Sequence, residues 1–394
     1  MTNTTIALPP SSIIGIMGGG QLGRMSAIAA AKLGFKVHIF TPSETDPAVE
    51  VAHTATIAPY HAFDALKAFI HSVEVITFEF ENIPPNTLEH LNQCHPDCLI
   101  RPSIRIVHIS QDRLKEKEFL TSIGLPLAPW CLVTEQESLH RVVEKIGLPL
   151  ILKTSREGYD GKGQRYIRTL EELETAFSNL KPHPLIAESV IDFACELSVM
   201  VVRGVDGVIR CFDTVQNYHW HGVLDMTLAP APIMENIAAE AQNIARQIAE
   251  NLHLVGIMGI EMFLDHTGYL LVNEIAPRPH NSGHWTMDAC PYDQFDMHIR
   301  AIAGLPLPLA IRHADAVMKN LVGPEDIALW QQILQTQGLI PHLYGKETAH
   351  TGRKMGHVNV LFPFGALPGS LGIRHALGAL ATKTAAPQQS MTWS

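Results

Sequence analysis

Apolar and polar positions along the first hundred residues alternate between two periods. A short apolar run at 13–17 reads as a buried strand, and a glycine turn and an apolar helix reaching residue 32 follow it. Residues 36–40 form a second such run. A third spans 73–80 and ends at Asn82-Ile83-Pro84-Pro85, where the prolines stop it. Strand–helix alternation of this kind predicts a doubly wound parallel sheet for residues 1–110. From Gln111 the pattern changes. A charged helix at 112–123 precedes strands at 148–154 and 164–168. The run Thr169-Leu170-Glu171-Glu172 reads as a capping box opening the next helix. Strands at 185–189 and 196–203, a helix at 235–252 and a hairpin over 259–275 complete an α+β region, 111–305. The proline-rich run 304–309 reads as a connector to a small β-rich piece, 306–394, whose last fifteen residues look frayed.

Apolar residues make up 46% of the 394, enough for real cores, and charged residues only 17%. This excludes a disordered chain and a coiled coil. The net charge of −10 argues against a nucleic-acid binder. No uncharged apolar run is long enough to span a membrane, and residues 1–10 do not read as a secretion signal. Six scattered cysteines (94, 98, 131, 195, 211 and 290) suggest reduced thiols and a cytoplasmic protein.

Three stretches carry candidate chemistry. Gly18-Gly19-Gly20-Gln21-Leu22-Gly23 lies between a strand and a helix, where backbone N–H groups suit an anion. A dinucleotide site would need an acidic residue ending the second strand, which instead closes on Phe40-Thr41-Pro42. NAD is therefore disfavoured. Anion binding and a tight packing turn both stay open. On the third strand Glu79 and Glu81 sit at the carboxyl end, where open parallel sheets bind ligands. The second stretch runs from Lys153 to Gln164 and includes Gly158, Tyr159, Asp160, Gly161, Lys162 and Gly163. Strand, basic glycine loop, strand describes a phosphate lid, with Lys153 and Lys162 supplying positive charge.

The third stretch is the 259–275 hairpin. A two-residue Thr267-Gly268 turn sets Asp265 opposite Leu270 and Glu261 opposite Glu274. Opposed side chains lie about 4.5–5.5 Å apart at Cβ, and like charges so placed repel. A divalent cation between the carboxylates relieves this, and Mg²⁺ takes such oxygen ligands. A shared proton, or a different register, is the alternative. Glu274 leads into an irregular segment with Arg278, His280, Asn281, Ser282 and His284. Its prolines exclude an i, i+4 histidine metal pair there, and its donors suit an anionic second substrate. His219-Trp220-His221 lacks further zinc ligands and reads as a nucleotide or packing contact.

Together with Gln111-Asp112-Arg113 and the 352–357 run Gly-Arg-Lys-Met-Gly-His, these motifs resemble the ATP-grasp superfamily. Within it, the chain resembles the N5-carboxyaminoimidazole ribonucleotide synthase family from about residue 14 to 362. The resemblance implies ATP- and bicarbonate-dependent carboxylation of 5-aminoimidazole ribonucleotide through carboxyphosphate, in purine biosynthesis, by a homodimer. It implies that Arg113, Lys153, the 158–164 loop, Glu188, Ser189, Val190, Ile191, Glu196, His219, Asn273 and Glu274 bind ATP. Glu188 to Ile191 would take the adenine edge and Glu196 the ribose. Glu261 and Glu274 would hold Mg²⁺. Tyr159, Asp160, Lys162, Arg278, His280 and one of Glu79 or Glu81 would surround bicarbonate and the aminoimidazole. Asn281 and Ser282 would join the substrate site, and Lys346, Arg353 and Lys354, with the turn Gly20-Gln21-Leu22, would take the ribotide phosphate. Ala276 stands where many ATP-grasp enzymes carry a metal-binding asparagine, so Asn273 or water would complete the shell. A formate-dependent ribotide transformylase, an NAD-dependent dehydrogenase and a non-catalytic nucleotide sensor are the competing readings.

Overall fold

The computed structural model describes residues 7–94, 98–156, 163–180 and 184–383. The first strands form a five-stranded parallel sheet in the order Thr54–Ile57, Lys36–Thr41, Ile13–Met17, Val75–Phe78, Leu99–Ile100. The chain order reverses between Ile13–Met17 and Val75–Phe78. Such a switch point opens a crevice beyond the carboxyl ends of the strands. The glycine turn leaves one of these two strands and Glu79 and Glu81 leave the other, so the motifs share that crevice.

At the turn, Glu79 accepts hydrogen bonds from the backbone N–H groups of Gly20 (2.5 Å) and Gly23 (2.8 Å). The protein's own carboxylate thus takes two of the N–H groups at the start of the Gln21–Lys32 helix, which suits the positive end of the helix dipole. Gly18 has φ +108°, and a Cβ there would come within 2.3 Å of the Glu79 side chain. The glycines let the backbone close onto the carboxylate.

A four-stranded antiparallel sheet follows, in the order Trp130–Val133, Leu185–Ser189, Leu150–Thr154, Gln164–Ile167. The expected capping box forms in half: Thr169 Oγ1 accepts from Glu172 N, while Glu172 reaches back to Arg168 N, one residue before the cap. The largest sheet has nine strands and includes Phe193–Arg203, Gly256–Asp265 and Leu270–Ala276. The strands beyond residue 305, Ala314–Val322, Leu339–Leu343 and Lys354–Pro363, extend this same sheet. The C-terminal piece is β-rich as expected, but its strands lengthen the central sheet. Of the last fifteen residues, expected to be frayed, Leu380 is instead buried in a core with Val317 and Val358, and 384–394 lie outside the described residues.

Two helices hold the assembly together. Glu235–Asn251 presents Ile237, Ala241, Ile244 and Ile248 to Leu197, Val199, Met258 and Ile260 of the large sheet. Gln294–Ala303 lies between the two larger sheets. Phe295, Ile299 and Ile302 pack on Ile14, Ile16 and Ile39, while Met297 and Ala301 pack on Met200 and Ile257. Asp293 caps this helix through the N–H groups of Phe295 and Asp296, and left-handed Gly304 ends it. Its His298 accepts from Ile257 N through Nδ1 at 3.3 Å and donates through Nε2 to Thr77 Oγ1 at 3.0 Å. The two sheets are thereby tied through one buried ring.

Truncating Glu79 to Ala leaves two part-buried N–H groups without their acceptor. The expected loss is about 2–4 kcal/mol in urea unfolding, with Glu79→Gln losing less. An Ala variant as stable as the parent contradicts the capping role.

Candidate active site

The hairpin pairs Glu261 with Glu274, though not by the predicted route. Gly268 adopts φ +88°, and the turn closes one residue wider, with Asp265 N bonded to Tyr269 O. Leu264 therefore faces Leu270, and Met262 faces Val272. Asp265 does not face Leu270. That register alone would set Glu261 against Asn273. A bulge at Asn273 absorbs one residue and returns Glu274 to the position opposite Glu261.

On the other side Glu261 pairs with Ser198 across the neighbouring strand. Ser198, Glu261 and Glu274 thus form one row on a sheet face that also bears Glu196 and Asn217. Leu197 and Val199 turn the opposite way into the core. Burial, reinforced by Glu274, raises the Glu261 carboxyl above its ordinary value, so the charged form is disfavoured without a partner cation. His280 Nε2 lies 3.5 Å from Glu261 Oε1. Among the described residues no group of three or more His, Cys, Asp or Glu converges on one point. Two carboxylates with further oxygens from substrate phosphate and water fit Mg²⁺, which seldom uses an all-protein cage.

Lys153 and Glu188, both expected at the nucleotide, form a buried pair at 2.9 Å. Lys117 reaches the same carboxylate at 3.7 Å and donates to Asn273 O at 2.9 Å. Burial opposes ionisation of Glu188, but the two lysines outweigh it and hold the carboxyl down at about 2. Arg113 lies 3.8 Å from Glu274. Glu196 and His219 pair at 2.6 Å. Burial pulls the His219 ring down, and Glu196 more than reverses this, lifting it to about 9. His221 sits in a turn at φ +49°, so the two histidines do not share a ligand site. Ser189 Oγ donates to Ile146 O, and Val190 N to Pro149 O. Ile191 follows the Leu185–Ser189 strand.

Across the crevice, Arg278 grips Glu81 in a two-pronged pair, 2.5 Å from Nε and 3.1 Å from Nη2. Of the two candidates, Glu81 thus joins the Arg278 cluster and Glu79 holds the glycine turn. Lys354 influences Glu261, His219 and His280 electrostatically. Lys346 donates to Lys354 O, and Arg353 to Thr348. Gly345 lies against Arg24 of the Gln21–Lys32 helix, which brings the 344–346 loop beside the glycine turn. Asn281 has both amide atoms buried with no hydrogen-bond partner among the described residues, a common mark of a ligand contact. His284 turns away from His280, bonding Gln294 and stacking on His357 at 4.7 Å, so no histidine metal pair forms. Gly163 and Gln164 are described, whereas Gly158, Tyr159, Asp160, Gly161 and Lys162 lie outside the described residues.

Several site residues escaped the sequence reading. Glu116 and Lys117 are buried, and burial pushes Glu116 up to about 8 despite Lys117. Their signal was present. Arg113, Glu116, Lys117 and Leu120 occupy one face at helical spacing, where an ordinary amphipathic helix is apolar. Ser198 and Asn217 were also passed over, although Glu196 and Ser198 alternate with Leu197 and Val199.

In chelator, Glu261→Gln should stabilise the protein by about 0.5–1 kcal/mol, because Glu274 is 41% exposed and water screens part of the repulsion. ATP-dependent turnover should be lost in the same variant. The folded state retains a proton that the unfolded chain releases above about pH 4.5. Stability from this group therefore falls as pH rises, and the variant's advantage grows. A destabilised variant in the urea titration would contradict the repulsive pairing.

Comparison with known proteins agrees along nearly the whole chain. Residues 12–111 match the ribonucleotide synthetase preATP-grasp domain, 118–295 the ATP-grasp domain, and 316–364 the phosphoribosylaminoimidazole carboxylase C-terminal domain. The N5-carboxyaminoimidazole ribonucleotide synthase of Brucella melitensis is 43% identical over 359 residues, 91% of this chain and 98% of that one. The Staphylococcus aureus synthetase, solved with ADP, superposes with a TM-score of 0.86 at 38% identity, covering 91% of this chain and 95% of that one. An Aspergillus clavatus synthase in complex with ADP and 5-aminoimidazole ribonucleotide gives 0.85 at 29% identity, covering 94% and 97%. With a glutamate pair on its hairpin and these relatives spanning all three regions, the chain belongs to the N5-carboxyaminoimidazole ribonucleotide synthase family of ATP-grasp enzymes.

Proposed function

We propose that this chain is a cytoplasmic, homodimeric ligase that uses ATP and bicarbonate to carboxylate 5-aminoimidazole ribonucleotide in purine biosynthesis, releasing ADP and phosphate. The observation that carries the reading is the opposed Glu261–Glu274 pair at the mouth of the crevice lined by Arg278, Glu81 and His280. Bicarbonate is a poor electrophile, and transfer of the γ-phosphoryl group converts it to carboxyphosphate. The amine of the ribotide then captures the carboxyl group and phosphate leaves. Mg²⁺ held by Glu261 and Glu274 would neutralise charge on the phosphates.

The chain's own residues divide the remaining work. Lys153 and Arg113 face the nucleotide, with Lys117 and Glu188 fixing Lys153 in place. The hinge 188–191 takes the adenine edge, and Glu196, oriented by His219, takes the ribose hydroxyls. Asn273 or a water would complete the shell of that Mg²⁺. Arg278, with Glu81 holding its Nε and one Nη2 proton and Pro279 O taking one Nη1 proton, directs its other N–H groups at the carboxyl oxygens. Tyr159, Asp160 and Lys162 would belong to the bicarbonate site in this reading, where water must be excluded because its attack on carboxyphosphate would waste ATP. Asn281 and Ser282 border the ribotide. Its phosphate lies against Gly20, Gln21 and Leu22 with Lys346, Arg353 and Lys354.

Purified protein should release ADP only when the ribotide and bicarbonate are both present, and formate should not replace bicarbonate. Arg278→Ala should lower kcat/KM by about 10²–10³-fold with ATP affinity largely retained. Formate-driven turnover would favour a transformylase instead. Full activity in Arg278→Ala would remove that residue from the scheme.

A further inference from the structure

Behind His280 runs a line of buried polar side chains with a defined direction. Thr227 Oγ1 donates to Asn217 Oδ1 at 2.9 Å, and Asn217 Nδ2 donates to Ser198 Oγ at 2.9 Å. Ser198 Oγ donates to Ser282 Oγ at 2.8 Å, and Ser282 Oγ lies 2.9 Å from His280 Nδ1. Thr227, Ser198 and Ser282 have no exposed surface, and Asn217 is 4% exposed. Ser282 has one hydroxyl proton. As an acceptor from Ser198, it gives that proton to the ring. Its backbone N–H also points at Nδ1, at 3.4 Å. An N–H cannot accept, so this longer contact agrees with Nδ1 as the acceptor, while the shorter hydroxyl contact holds it there. The ring proton then resides on Nε2, the nitrogen facing Glu261.

We propose that Thr227, Asn217, Ser198 and Ser282 are positioning residues that lock His280 as an Nε2–H donor toward the carboxyl-transfer site. Three adjacent strands supply the chain, with Asn217 opposite Thr227 and Ser198 opposite Glu261. The ring's seat is equally constrained. A Cβ on Gly259 would come within 2.9 Å of His280 Cβ and 3.0 Å of its Cγ. Gln294 clamps the backbone, accepting from His280 N and donating to His280 O, both at 2.9 Å. Placement and tautomer are therefore set before any ligand arrives. A ring held this way hydrogen-bonds an anionic oxygen of bicarbonate or of its phosphorylated form. It does not take the proton from the ribotide amine, because its one lone pair is already engaged by Ser282. The functional part of this inference rests on the proposed carboxylation, whereas the tautomer does not.

Selective ¹⁵N-histidine labelling of the ligand-free protein reads the tautomer directly, with the His280 signal assigned by its loss in His280→Asn. The parent should show an unprotonated Nδ1 and a protonated Nε2. Ser198→Ala and Thr227→Val should shift this toward a tautomer mixture, while Thr227→Ser should restore the parent spectrum. In turnover, the first two variants should raise the KM for bicarbonate about tenfold and leave the KM for ATP unchanged. A protonated Nδ1 in the parent overturns the proposal. So does a His280 spectrum unaltered in both Ser198→Ala and Thr227→Val, whatever their activity. A parent that shows the expected tautomer without ribotide-dependent ADP release overturns the carboxylation reading and leaves the positioning assignment standing.

Discussion

Two carboxylates held face to face on a β-ladder are the constraint around which the rest of this structure is arranged. Repulsion between Glu261 and Glu274 opposes folding unless a cation or a proton intervenes, and the fold still enforces the contact. The bulge at Asn273 shows how specific that enforcement is. Without it the wider turn would set Glu261 against an amide and Ile260 against Glu274 in place of Ile275. The bulge thus keeps the apolar rungs beyond it in register while it keeps the two carboxylates opposed. The neighbouring charges follow the same logic, because Lys117 and Lys153 are buried charges balanced mainly against Glu188.

The crevice itself is made by sheet topology. The switch point brings the glycine turn and the Glu79–Glu81 strand end together, and the buried Gln294–Ala303 helix docks this sheet against the large one. Arg278 meets Glu81 across that junction at a sequence separation of 197 residues. The pair therefore joins the two sheets as well as lining the site. His298, bridging Thr77 and Ile257, makes a second polar tie between them.

Glu79 and Glu81 illustrate a limit of motif reading. Both carry a carboxylate, and the alternating pattern places them on one face of a strand and treats them alike, although the strand ends at Phe78. The structure separates them because Glu79 is close enough to cap the glycine turn and Glu81 extends two residues further, to where Arg278 waits. A similar division occurs in the 280–284 segment, where His280 faces Glu261 while His284 is drawn into a stack with His357.

The amino-acid sequence by itself determined the parallel first sheet, the positions of the main strands and helices, and the presence of a glutamate pair, because these follow from local periodicity and turn chemistry. It could not yield the compensating shift of turn and bulge, since two one-residue offsets cancel and leave the same pairing. Nor could it show that the C-terminal strands join the large sheet, that Glu79 caps a helix, or that Ser198, Asn217 and Thr227 converge on His280. Those outcomes depend on which side chains meet across distant strands. Only the folded chain decides that, because each buried polar group must find a partner from whatever the topology brings within reach.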